Sequence, residues 1–416
     1  AAYATLAHQG ADQARAEAGN QPAEAEDPSH QAIEQNARTF GTMRSALLCI
    51  AALSLGTSSP AATFTITHFG TPANAQPAID RAAEIWGSIL VSDVPIKVAV
   101  SWFPLGASAL GVTFPNGRKD FPGAPVASTW YASCLANSIA GTELNPGEDD
   151  INVYLNSGTN WYLGLDANTP AGQYDLVTVA LHELGHGLGF VGLAKKVGSE
   201  GSFGQVLLSD FAPLITTYPW PEQEGLPGIF DRFLTSTANG PLVDLMNPST
   251  ALGSAFTSNQ VYFNGTNAMS ANGGQTARIY APAAFALGSS CVHLNESTYP
   301  VGNPNELMTP FSSAGHANHW PGPIAIGVMR DIGWMVNGVG VPEQQVQSTW
   351  GLTLLPDGHL HPFGLETRER LTILDAQGRK LLEASGNGPI ALARWSSGPC
   401  IALRMSTGEA QRFVLP

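Results

Sequence analysis

The stretch VALHELGHGLGFVG, residues 179–192, constrains this chain more than any other segment. His182 and His186 are four residues apart, so on a helix both rings face one side and can offer a nitrogen to a single metal ion. Glu183 follows the first histidine and stands where a base for metal-activated water is needed. A fold that uses this stretch has to bury a helix carrying three polar side chains and bring a third protein ligand from elsewhere. The flanking sequence favours that helix. Val177, Leu181, Leu184 and Leu188 recur at helical spacing on one face, with Asp175 ahead of them as an N-cap. The bland alternative is a solvated helix with unrelated histidines, and the apolar residues around both rings count against it.

Gly185, Gly187 and Gly189 crowd the end of this helix, where each costs about 1 kcal/mol relative to alanine. Gly189, three residues after the second histidine, is able to take a left-handed conformation, end the helix and turn the chain back under a metal. This HExxHxxG arrangement resembles the metzincin zinc peptidases, whose longer pattern HExxHxxGxxH supplies the third ligand three residues further on. The corresponding residue here is Gly192, which has no side chain to offer.

Of the 10 histidines, His8 and His30 precede an apparent secretory signal, His68 follows it closely, and His359 and His361 belong to the C-terminal region. His293, His316 and His319 remain, with Glu296 and Glu306 as carboxylates that could serve instead. The order of His293 and then Met308 in CVHLNESTYPVGNPNELMTP resembles the leishmanolysin group. In that family a large insertion separates the third histidine from the helix, and a methionine turn follows beneath the zinc. The resemblance implies one Zn2+ held by His182, His186 and His293, with Glu183 as the catalytic base. It also implies a structural Met308 and an insertion over residues 193–290. The series HLNE, LMTP and DIGW further resembles a group of secreted bacterial proteins that carry the same motif. Tyr299 is near enough in sequence to be weighed as an oxyanion partner, against the simpler reading of a buried structural tyrosine.

The rest of the chain sets the context. With 416 residues it is long enough for two or three domains and a large core. Only 12% of residues are charged while Gly (45) and Pro (30) abound, which fits a compact, turn-rich protein. A formal net charge of -14 excludes a nucleic-acid footprint, which needs clustered Lys and Arg.

The run MRSALLCIAALSLGTSSPAA, residues 43–62, has a Met, an Arg, a short apolar core and small residues at its end, as a secretory signal does. It falls short of the roughly 20 apolar residues that span a bilayer. The expectation is a signal over residues 43–61, a secreted bacterial product without a stable membrane span, and a non-native or disordered extension over residues 1–42. An oxidising destination then allows one disulfide, expected between Cys134 and Cys291, with Cys400 as a buried leftover thiol.

Alternating and helical patterns predict strands at residues 64–70, 96–105 and 150–157 and helices at residues 77–90 and 321–334. A Gly- and Pro-punctuated linker at residues 341–350 separates a catalytic domain, residues 62–340, from several short strands at residues 351–416. This last part reads as a small β-sandwich and resembles the sorting domains of type IX secretion, which would make secretion machinery a partner. A generic accessory sandwich is the alternative.

The expected fold is therefore an α/β (α+β) metzincin-like zinc peptidase domain with a long insertion, followed by the β-sandwich. The expected function is that of a secreted zinc-dependent endopeptidase acting on protein or peptide substrates. The alternatives are a non-peptidase zinc hydrolase and a surface or binding protein that keeps the fold without turnover.

Overall fold

The computed structural model describes residues 4–8, 61–211 and 223–337, and in the C-terminal part residues 351–354, 359–365, 369–375, 379–386, 388–391, 398–404, 406 and 410–415. Within them the chain divides into two compact units, Ala1–Val339 and Gly340–Pro416.

The first unit is built on a six-stranded mixed sheet. Its strands are β1 (Ala4–His8), β2 (Phe64–Phe69), β3 (Ile96–Phe103), β4 (Ala109–Pro115), β5 (Ile151–Asn156) and β6 (Phe311–Ser312). They lie in the order β6-β1-β4-β5-β3-β2. β2, β3 and β5 run parallel, and helix α1 (Gln76–Ile89) connects the first two, as a parallel pair requires a long crossover. β4 runs antiparallel to β5, pairing Thr113 with Val153 and Gly111 with Leu155.

Helix α3 (Leu176–Gly187) lies against this sheet with all its residues buried. It forms there because apolar residues surround it and its first turn is capped: Asp175 is extended, and its side chain accepts the Thr178 amide at 2.7 Å. Two tryptophans fasten it to neighbouring helices. Trp86 of α1 donates to the Leu181 carbonyl at 2.9 Å, and Trp334 donates to Leu188 at 2.8 Å. Trp334 directly follows Gly333, which caps α4 (Pro323–Ile332). α4 starts two residues later than its sequence pattern predicts, because Gly322 turns the chain at φ 86°.

The expected insertion is continuous with the core. It contains a hairpin, Ala194–Val197 with Glu200–Phe203, and an antiparallel sheet in the order Gly240–Pro241, Leu234–Ser236, Val261–Phe263, Ala277–Ile279. Its Phe230, Phe256 and Phe263 are buried in the same apolar cluster as Leu176, Leu181 and Leu184 of α3.

Two expectations need correction. Ala4–His8 of the expected extension forms β1, pairing antiparallel with β4 (Thr5 with Val112, Leu6 with Gly111) and parallel with β6 (Ala7 with Phe311). This strand fills a slot with unsatisfied backbone groups on both sides, so five residues suffice to hold it. Cys134 and Cys291 form no disulfide: each is a buried free thiol. Cys134 sits on α2 (Ser133–Ala140) with its sulfur 3.5 Å from the Gly187 carbonyl, while Cys291 is joined through its amide to Tyr280. Burial pushes both thiols upward, Cys134 well above the usual thiol range.

The expected signal, apart from Ala61, and the linker at residues 341–350 lie outside the described residues. Among those described, no helix is long and apolar enough to cross a membrane. In the second unit, strands Gly351–Leu354, His359–Phe363 and Ile390–Ala391 form one sheet. Lys380–Ser385, Arg370–Asp375, Gly398–Arg404 and Ala410–Leu415 form another. Leu360, Leu371, Ile373, Ile390, Cys400 and Ala402 supply their shared core.

Candidate metal centre

His182, His186 and His293 meet in the interior of the first unit, all three fully buried. Their Nε2 atoms form a triangle: 2.9 Å from His182 to His186, 3.2 Å from His186 to His293 and 3.3 Å from His293 to His182.

Each ring is oriented by a backbone carbonyl at Nδ1. The acceptors are Leu307 for His182 at 2.6 Å, Phe190 for His186 at 2.7 Å and Ser289 for His293 at 2.9 Å. A carbonyl can only accept, so Nδ1 carries the proton and Nε2 presents a lone pair. Three lone pairs converge on one point, an arrangement that repels itself unless a cation lies there. Burial lowers all three rings, His182 to about 4, and the mutual proximity of the rings pushes His186 and His293 down further. The neutral form that binds metal is therefore the one the fold selects. The size also fits: this triangle has a circumradius of about 1.8 Å, inside the 2.0–2.1 Å usual for a Zn–N bond. These three buried histidines can hold a metal ion.

The positions follow from local structure. α3 presents His182 and His186 one turn apart, and Gly189 ends the turn that follows with φ 116°. That turn brings the Phe190 carbonyl back to His186. His293 arrives on a segment that runs beside the last strand of the inserted sheet, where Leu294 bridges Ile279. Beyond Ala277–Ile279, Tyr280 donates to the His293 carbonyl at 2.8 Å and Cys291 donates to that of Tyr280 at 2.8 Å. Asn295 then donates to Arg278 at 3.0 Å. The ladder thus carries the histidine inward from a segment 107 residues away from His186. Met308 closes the floor in a 3-10 turn, Glu306–Met308, and is fully buried. A Cβ on Gly185 would lie 2.8 Å from its sulfur, so that glycine admits the methionine beneath the helix.

The rival ligands are engaged elsewhere. His316 pairs with Glu306 at 2.7 Å, which raises the imidazole above its ordinary range, and His319 pairs with Asp175 at 2.8 Å. Glu296 is held by the Thr309 side chain. The Tyr299 hydroxyl accepts the Arg278 amide at 3.3 Å, within the core.

Glu183 is fully buried, and Thr113 of β4 donates to its Oε2 at 2.7 Å. Gly111, two residues earlier on the same face of the strand, lies so close that a Cβ there would be 2.5 Å from Glu183 Oε1. Sequence reasoning missed both residues, although a glycine inside an apolar strand is itself a sign of close approach.

Asp231 was missed as well. Its Oδ2 accepts the Leu193 and Gly228 amides at 2.8 Å each, and burial pushes the carboxyl up to about 7. A Cβ on Gly192 would stand 2.2 Å from its Oδ1. The position where the metzincin pattern has a ligand is thus filled by a carboxylate from the insertion.

Residues 142–217 match the model of a family described as SPBPB7E8-like, a span that takes in β5 and the whole of α3. No curated protein and no solved structure matches the chain.

Proposed function

We propose that this chain is a zinc-dependent peptidase of metzincin-like design. The observation that carries the reading is the triangle of three Nε2 atoms beside Glu183, because a hydrolytic zinc site needs three protein ligands, an open position and a nearby base. His182, His186 and His293 would hold the ion, and Met308 would support it from below. When bound, zinc acidifies a water molecule and polarises a carbonyl.

Glu183 takes the proton of the attacking water as its oxygen joins the scissile carbon. It then hands that proton to the leaving amine as the carbon–nitrogen bond breaks. With the signal cleaved and Ala4–His8 gone, the edge of β4 would be free to align an extended peptide by backbone hydrogen bonds. A narrow recess beside His182, lined also by Thr178, Leu307, Phe311 and His316, has room for about one water molecule. Secretion by way of residues 43–61, with the second unit as a sorting module, completes the proposal.

A reading without turnover draws on the full burial of Glu183. Casein digestion decides between the two. The chain should digest casein, a chelator should stop it, and Glu183→Ala should keep zinc while losing activity by about a hundred-fold or more. His293→Ala should lose stoichiometric zinc and His316→Ala should keep it. Retention of zinc by His293→Ala would overturn the ligand set, and an inert, metal-free wild-type chain would sink the peptidase reading.

A further inference from the structure

We propose that Thr113 is a positioning residue for Glu183, seated with Gly111 on one face of β4. The inference rests on the peptidase reading. A glutamate has three rotatable bonds, so its carboxylate has to be fixed by its neighbours. The Nδ1 protons of His182 and His186 go to backbone carbonyls, and their Nε2 atoms face one another. Thr113 is fully buried and β-branched, and its backbone pairs with Val153 on one side and Ala4 on the other, which restricts the direction of its hydroxyl. That direction ends on Glu183 Oε2, at 2.7 Å.

Gly111 supplies the complementary element. With no side chain, it lets the carboxylate lie flat against the strand, where a Cβ would meet Oε1, Cδ and Cγ at 2.5–2.8 Å. One oxygen is pinned by a donor and the whole group is backed by bare strand. The carboxylate plane is thereby set before any substrate arrives, which is what a group that must receive and return a proton requires. The strand interior tolerates the weakening that glycine brings because this close approach demands it.

Thr113→Val removes the hydroxyl at nearly constant shape, and Thr113→Ser restores it. In the zinc-loaded chain the valine variant should lose about ten- to a hundred-fold in kcat, with KM and zinc content unchanged, and the serine variant should return to within about three-fold of wild type. A kcat within two-fold of wild type in Thr113→Val, a loss confined to KM, or a serine variant as poor as valine would overturn the proposal. A double-mutant cycle of Thr113→Val with Glu183→Ala, read as urea unfolding of the metal-free chain, tests the contact without activity. Non-additive losses are expected, and additive ones overturn the proposal whatever the kinetics. Coupling in that cycle alongside a wild-type chain that never turns over would mark the peptidase reading, with the catalytic role resting on it, as the part that fails.

Discussion

A side chain at position 192 would run into the Asp231 carboxylate, so the glycine there is required by packing, and the third histidine comes from a distant segment. Asp231 makes this testable through its own ionisation. Its carboxyl is raised to about 7 in the fold, against about 4 in an unfolded chain. Between those values the folded state holds a proton that the unfolded state has lost, so this group's contribution to stability falls as pH rises from about 4 to about 7. The slope is at most ~1.4 kcal/mol per pH unit. Asp231→Asn cannot ionise and keeps an oxygen for the Leu193 and Gly228 amides. Urea unfolding at several pH values should therefore show the variant gaining on wild type across that window, while Asp150, raised to about 6, is common to both proteins and cancels. A difference that stays constant with pH would mean that Asp231 is ionised in the fold. Nothing in the sequence marks Asp231, because its role depends on a contact across 38 residues.

Helix α3 was legible because its information is local: an N-cap, an apolar face and a terminal glycine all lie within 15 residues. The seat for Glu183 was not, since the segment around Gly111 and Thr113 reads only as loops and short strands until β4 is laid across the helix. His293 falls between these cases. Its residue type is visible, but the ladder from Tyr280 and Arg278 that carries it inward is a tertiary fact.

The cap of α3 does more than a typical one. Asp175 accepts from the Thr178 amide and hydroxyl at 2.7 Å each, from Thr169 at 3.1 Å, and pairs with His319 at 2.8 Å. Asp175→Ala leaves these donors without their acceptor at the buried start of the helix that carries His182 and His186. The expected loss is about 1–3 kcal/mol in urea unfolding, with a smaller loss for Asp175→Asn, which keeps the cap oxygen. A loss below about 0.5 kcal/mol would show that packing alone holds the helix.

At the scale of the whole molecule, the class of fold was readable from the alternation of strand and helix patterns, while the sheet's membership was not. Residues 1–42 carry the composition of a segment outside the fold, yet Ala4–His8 completes the sheet between β4 and β6, because backbone pairing asks for a vacant slot more than for particular side chains. The slot lies along the strand that carries Thr113 and Gly111. A chain starting at Ala62 would leave β4 as an open edge, its outward amides unpaired. Hydrogen exchange should then separate the two forms of the protein. Those β4 amides that do not face β5 should exchange slowly in the full chain and at least tenfold faster in the shortened one, whereas the amides shared with β5 should be unchanged in both. If β4 is also the strand that aligns a substrate, the shortened chain should digest casein faster than the full chain. Equal exchange in the two forms would mean that Ala4–His8 does not occupy the slot in solution, and equal digestion with unequal exchange would place the substrate somewhere other than along β4.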